Sequence, residues 1–284
     1  MFCSSATARS SRRRTASPRE LDREGQPRRR LPGTPRQRHA GRRQEAVAGF
    51  FRPRRRQDPE RDRHPRVHDR LPCIVNLVGA GRDSAGQSFL VMQLMPNGSL
   101  RDALRSHSAA PSWPRRVEIA LRVARAVASL HGASPPVVHR DVKSENVLFD
   151  AAWDARLADF SLAVRVGGGG RTEPIGLPPA GTIGYLDPSY TESKLLSPKN
   201  DVFSFGVLLL ELVSSRKVMD VDSDTCSIVA WAVPMIRARR YDEVVDRRVG
   251  LSAGTERSAV ARILRVAARC AAEKAEERPG MGRW

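Results

Sequence analysis

The amino-acid sequence changes character at Leu71, and that break bounds what the chain can fold into. Residues 1–70 hold 21 arginines against eight acidic residues, together with much Pro, Gly and Ser, and show no sustained apolar period of 2 or 3.6. A stretch of this kind cannot bury enough apolar surface to offset its ordering entropy, and it reads as disordered. It also carries most of the formal charge of +18 on the 284 residues, so the high net charge belongs to the front segment. A core is expected only from residues 71–284, a length that suits one domain.

Beyond the break, local patterns alternate between strand and helix. Ile74–Val78 reads as a strand, Gly79–Gln87 as a turn-rich loop, and Phe89–Met95 as a second apolar run stopped by Pro96-Asn97-Gly98. Ser99 is placed to cap a short helix running to about His107. A longer helix is expected over Trp113–His131, with Val117, Ala120, Leu121, Ala124, Val127 and Leu130 on one face. Short strands follow at Val147–Phe149 and Ala155–Leu157, then a Gly/Pro-rich loop over 167–179, then mainly helix from Asn200. The apolar run Val202–Val213 carries Glu211 and is too short to span a bilayer, so it reads as a buried helix. No secretory leader and no transmembrane segment are expected. Cys3, Cys73, Cys226 and Cys270 form no C-x-x-C pair, which points to free thiols in a reducing, cytoplasmic setting.

The chemistry concentrates in two loops. His139-Arg140-Asp141-Val142-Lys143-Ser144-Glu145-Asn146 follows the spacing H-R-D-x-x-x-x-N of a protein-kinase catalytic loop. In that pattern a carboxylate, Asp141, orients the hydroxyl that attacks a phosphoryl group. Lys143 neutralises charge on the moving group, and the amide oxygen of Asn146 reaches a magnesium ion. Asp159-Phe160-Ser161 follows thirteen residues after Asn146, where kinases place D-F-G. Asp159 supplies a second metal contact there, and Phe160 packs under His139. Serine at 161 in place of glycine restricts the backbone at the hinge of the following loop.

Three further blocks extend the pattern: Gly181-Thr182-Ile183-Gly184-Tyr185-Leu186-Asp187-Pro188-Ser189-Tyr190, Asp201-Val202-Phe203-Ser204-Phe205-Gly206-Val207, and Glu277-Arg278-Pro279. Together the five blocks resemble the plant receptor-like kinases, which are related to the Pelle and interleukin-receptor-associated kinases. The run Val229–Ile236 is similar to a cytoplasmic, crinkly-like branch. The resemblance covers Pro72 to Trp284. It implies an α+β, protein-kinase-like fold, mainly the helical C-lobe with the hinge and part of the N-lobe sheet. It further implies transfer of the γ-phosphoryl group of ATP to Ser or Thr of a protein substrate, with Mg²⁺ as cofactor and an upstream receptor kinase as partner. The cytoplasm, at the periphery of the plasma membrane, is the implied location. Met92 matches the gatekeeper, Gln93 to Met95 the adenine-binding hinge, Asp102 a ribose-side carboxylate and Leu148 the floor under adenine. Thr182 matches the threonine that packs on Asp141 and Lys143. Asp201 matches the carboxylate that holds the catalytic-loop backbone, with a helix cap as its plainer alternative. Arg140 is expected to pair with a phosphate on the activation segment, at Thr172 or Thr182.

The sequence also departs from the family. No G-x-G-x-x-G motif precedes the hinge, and the first lysine of the chain is Lys143, so residues 1–142 hold no phosphate-pairing lysine. Ser189 stands where the family carries a glutamate that pairs with the arginine matched by Arg278, which leaves that arginine without its partner. The chain stops at Trp284, before the family's last helix. Residues 1–70 are accordingly read as disordered or as a mistranslated stand-in for the upper lobe. The expectation for the chain as written is weak or absent kinase activity, with a pseudokinase or truncated interaction module as the alternative. Nucleic-acid binding by the arginines is not expected, because aromatic interleaving and a binding-fold pattern are missing. The acid-free residues 1–19 also resemble an organelle transit peptide.

Overall fold

A computed structural model describes residues 72–106, 110–167, 178–193, 195–251 and 254–283. They lie within one compact unit, Arg43–Trp284. The disorder expected of residues 1–70, Cys3 and the proposed phosphosite Thr172 lie outside the described residues.

The centre of the fold is helix α4 (Pro198–Ser214). Every residue of it from Asn200 to Val213 is buried, as befits a helix that is apolar all round. Its start is well specified. Pro198 occupies the first turn, and Ser197 and Asn200 form a reciprocal capping box. Helices α2 (Trp113–His131), α5 (Ile228–Arg237) and α6 (Thr255–Cys270) pack against it. Gly206 sets the α4–α6 approach: a Cβ there would stand 2.7 Å from the Cys270 Cβ and 2.8 Å from the Ala271 nitrogen. Cys73, Cys226 and Cys270 are free thiols, and burial pushes the Cys270 thiol up to about 12.

Helix α2 has the expected limits, but its buried face is rotated. Trp113, Arg116, Ile119, Ala120, Val123, Ala126, Val127 and Leu130 are buried, whereas Val117 is half-buried and Leu121 is 51% exposed. The cause is Arg116. A hydrophobic count excludes a charged residue from the core face, yet this guanidinium is fully buried and donates to Pro111 O, Leu212 O, Ser215 Oγ and Asp246 Oδ2. The short helix α1 (Leu100–Arg105), capped by Ser99, ends earlier than expected, at an extended Ser106; His107 lies outside the described residues.

Among the described residues, strands form three antiparallel pairs: β1 (Leu77–Arg82) with β2 (Ser88–Met92), β3 (Val137–Val138) with β6 (Val164–Arg165), and β4 (Val147–Phe149) with β5 (Ala155–Leu157). The first strand lies three residues later than expected. Ile74 and Val75 instead attach to β5: Val75 N–H donates to Leu157 O at 2.9 Å, and Leu157 N–H donates to Cys73 O at 2.8 Å. Gly79 and Gly81, which read as loop, are strand residues. The Phe89 ring lies across Gly81, where a Cβ would come within 2.6 Å of it. The turn itself is Asp83–Gln87, and the Asp83 side chain accepts the N–H groups of Ala85 and Gln87. The mixture of a helical body with small sheets agrees with the expected α+β class.

Candidate active site

The loop between β3 and β4 is held from below by Asp201, a fully buried carboxylate in the first turn of α4. Its Oδ2 accepts the His139 N–H and its Oδ1 the Arg140 N–H, both at 2.8 Å; the His131 ring meets Oδ2 at 2.9 Å. The two backbone bonds fix the loop where Arg140 takes a left-handed φ of 70°. His139 is fully buried, and burial pushes its pKa below the ordinary value. The Asp141 N–H points at Nδ1 (3.3 Å), so the neutral ring carries its proton on Nε2 and donates it to Ala158 O at 3.1 Å. Phe160 meets the ring edge-on, with centroids 4.8 Å apart.

Asp141, so oriented, sits in a closed hydrogen-bonded triangle. Thr182 Oγ1 donates to its Oδ1 at 2.6 Å, Lys143 Nζ pairs with its Oδ2 at 2.7 Å, and Lys143 Nζ also donates to Thr182 Oγ1 at 2.7 Å. Asn146 Nδ2 donates to Asp141 O at 2.9 Å and to Oδ2 at 3.0 Å. With the amide nitrogen turned inward, the Asn146 carbonyl oxygen points the other way. The Ala158 N–H donates to the Asn146 backbone oxygen at 2.8 Å, which ties Asn146 to the residue before Asp159. Asp159 has φ 62°, and its Oδ1 accepts the Ser161 N–H at 3.3 Å. The left-handed turn thus falls on Asp159, and Ser161 is not among the positive-φ residues, so serine is accommodated where the family has glycine.

The described residues contain no cluster of three His, Cys, Asp or Glu side chains able to hold a metal. One amide oxygen and one carboxylate are nevertheless a hard-oxygen pair of the kind that suits Mg²⁺, which is commonly held by one or two carboxylates plus substrate phosphates. The donor set fits that ion.

Residues 92–102, expected on the adenine and ribose side, connect strand β2 to helix α1. Gln93 N–H donates to Asn76 O at 2.9 Å, and its side chain accepts from Asn76 Nδ2 at 2.9 Å. Asn97 N–H donates to Phe149 O and Phe149 N–H to Gly98 O, while Ser99 bridges to Leu148. These bonds tie residues 97–99 to β4, and Leu148 lies beside Ser99; Met92 and Met95 are half-buried. One Asp102 oxygen is engaged locally, accepting from Ser99 Oγ at 2.6 Å.

The Arg140 backbone lies against Gly181, but its guanidinium and the Thr182 hydroxyl have different partners. The Thr182 hydroxyl is committed to Asp141 and Lys143, while Arg140 donates to Pro178 O at 2.7 Å and Tyr190 OH at 3.1 Å. The expectation that Arg278 lacks a partner is also overturned. Its guanidinium grips Asp187 bidentately, at 2.5 and 2.8 Å, and both side chains are fully buried. The family pattern places this carboxylate at position 189; here the one at 187 reaches the same guanidinium, a partner that local spacing does not reveal. Local spacing does not reveal the role of Glu211 either. This buried carboxyl takes a short hydrogen bond from Tyr185 OH, which meets Ser144 Oγ at 3.1 Å. Its one signal in the sequence was an acid inside the most apolar run.

Comparison with known proteins gives a consistent result. The family described as Protein kinase domain matches residues 59–281. A serine/threonine-protein kinase-like protein of Arabidopsis thaliana is 48% identical over 212 residues, covering 74% of this chain and 59% of that protein. A second such Arabidopsis protein is 43% identical over 217 residues, covering 75% and 59%. A nodulation receptor kinase of Pisum sativum is 42% identical over 203 residues, covering 69% and 21%. The chain spans about three fifths of the length of the first two relatives.

Proposed function

The chain belongs to the protein kinase family, and from that premise we propose that it carries the lower half of a serine/threonine kinase site. The reaction is transfer of the γ-phosphoryl group of ATP to a Ser or Thr hydroxyl of a protein. The observation that carries this reading is the triangle of Asp141, Lys143 and Thr182 beside Asn146. Asp141 orients the attacking hydroxyl and takes up its proton at Oδ1 or Oδ2. Lys143, tied to Thr182, presents a fixed positive charge where negative charge builds up. Asn146 and Asp159 would hold Mg²⁺, which when bound neutralises phosphate charge. Met92, Gln93, Met95 and Leu148 line the adenine side, and Asp102 faces the ribose. Such a site works by positioning and electrostatics.

A second reading rests on one observation: the 142 residues before Lys143 contain no lysine and no glycine-rich phosphate loop. On that reading residues 71–284 are a kinase-like interaction module with weak or absent turnover. From the resemblance of its motifs to receptor-like kinases we further propose that the protein acts in the cytoplasm, at the periphery of the plasma membrane, with an upstream receptor kinase as partner. Among the described residues no helix is long and apolar enough to cross a membrane.

The deciding experiment combines the purified chain, ATP, Mg²⁺ and a generic Ser/Thr substrate. Turnover that disappears in Asp141→Asn establishes the enzyme. Absence of nucleotide binding in the wild type selects the interaction module.

A further inference from the structure

We propose that Asp187 is a positioning residue, the anchor that holds segment Gly181–Asp187 in register so that Thr182 reaches Asp141, in the place of a carboxylate at position 189. The inference rests on the functional reading above only for the importance of the Thr182–Asp141 contact.

Asp187 is 1% exposed. Besides both arms of Arg278 it accepts Asn200 Nδ2 at 2.7 Å, the Ser189 N–H at 2.9 Å and Ser189 Oγ at 2.9 Å. Arg278 completes its own set on the backbone oxygens of Ala272, Glu273 and Lys199. The Asp187 carboxylate and the Arg278 guanidinium thus each have several partners, and the Lys199 ammonium caps Arg278 O. A glutamate at 189 would bring a second carboxylate to the same guanidinium. Serine there serves a different end, since its N–H and hydroxyl orient the carboxylate two residues earlier.

The anchor lies five residues from Thr182, and the stretch between them is rigid. The N–H groups of Tyr185 and Leu186 both donate to Thr182 O, and Ser204 Oγ donates to Tyr185 O at 2.8 Å. A shift at Asp187 is thus passed through one turn of chain to the Thr182 hydroxyl. Asp187 touches neither Asp141 nor the hinge, so its effect is transmitted rather than direct.

Hydrogen exchange on the full chain tests this. Asp187→Asn is expected to speed exchange of the Tyr185 and Leu186 amides by about tenfold or more, with the α2 amides unchanged. Ser189→Glu alone is expected to lower Tm. The swap Asp187→Ser with Ser189→Glu is expected to regain part of the lost protection. A packing role alone would lower Tm without singling out residues 182–187. If Asp187→Asn does not fold, Ser189→Ala removes the hydroxyl's hydrogen bond to the carboxylate while keeping the ion pair, and must still speed exchange at Tyr185 and Leu186. Unchanged exchange at those amides, or a higher Tm in Ser189→Glu, overturns the proposal. Nucleotide binding by the wild type, measured separately, reports on the kinase reading alone, so the two can fail independently.

Discussion

The carboxylate of Asp201, at the start of the central helix, accepts the backbone N–H of His139 in the catalytic loop at 2.8 Å. The loop is thereby hung from the most buried element of the fold. Asp201→Ala would orphan the His139 and Arg140 N–H groups at once. With about 1–3 kcal/mol for each unsatisfied buried donor, the expected loss is about 2–6 kcal/mol. Urea denaturation of the two proteins measures it. A loss under 1 kcal/mol would mean that the loop holds its shape by other contacts.

Gly206 makes a second, independent prediction. Gly206→Ala places a methyl where α6 now stands, against backbone as well as side chain. Neither helix can yield cheaply, so the expected cost is about 1–3 kcal/mol, in spite of the better helix propensity of alanine. Thermal unfolding that shows a stabilised variant would contradict the close α4–α6 approach.

Glu211 sets a pH dependence. Burial pushes its carboxyl above the usual range, and the hydrogen bond from Tyr185 offsets only part of that. The folded state therefore holds this proton more tightly than the unfolded chain does. Its contribution to stability is greatest below the unfolded pKa of about 4 and declines as pH rises from there to the folded pKa. Glu211→Gln should flatten this part of the stability–pH curve. An unchanged curve, followed by chemical denaturation at several pH values, would rule the explanation out.

Asp246 acts in the opposite sense. Burial by itself would raise its carboxyl, but hydrogen bonds from Arg248, Ser215 and Arg116 prevail and hold it well below the usual range. Its contribution is present above about pH 4 and is lost as pH falls further. Asp246→Asn should therefore lose stability at neutral pH and show a shallower acid limb than the wild type. Its partner Arg116 is fully buried, and Arg116→Met, which leaves Asp246 with Arg248 and Ser215 but takes the donor from Pro111 O and Leu212 O, should cost about 1–3 kcal/mol. Near-equal acid limbs in Asp246→Asn and wild type would remove Asp246 from the account.

The sequence by itself determined the chemistry-bearing residues and the local elements around them. Asp141, Lys143, Asn146 and Asp159 fall at fixed spacing on short loops, the limits of helix Trp113–His131 follow from its apolar period, and the apolar run Val202–Val213 marks the buried helix. Tertiary structure decided whatever depends on a partner distant along the chain. Ile74 and Val75 pair with Leu157 rather than with β2. Arg116 turns the α2 face because Asp246 waits 130 residues away. Arg278 closes on Asp187, 91 residues away, and not on position 189. The physical reason is the same in each case. Propensity and periodicity are local, short-range quantities, whereas a buried charge is tolerable only where a counter-charge and hydrogen-bond partners meet it in space.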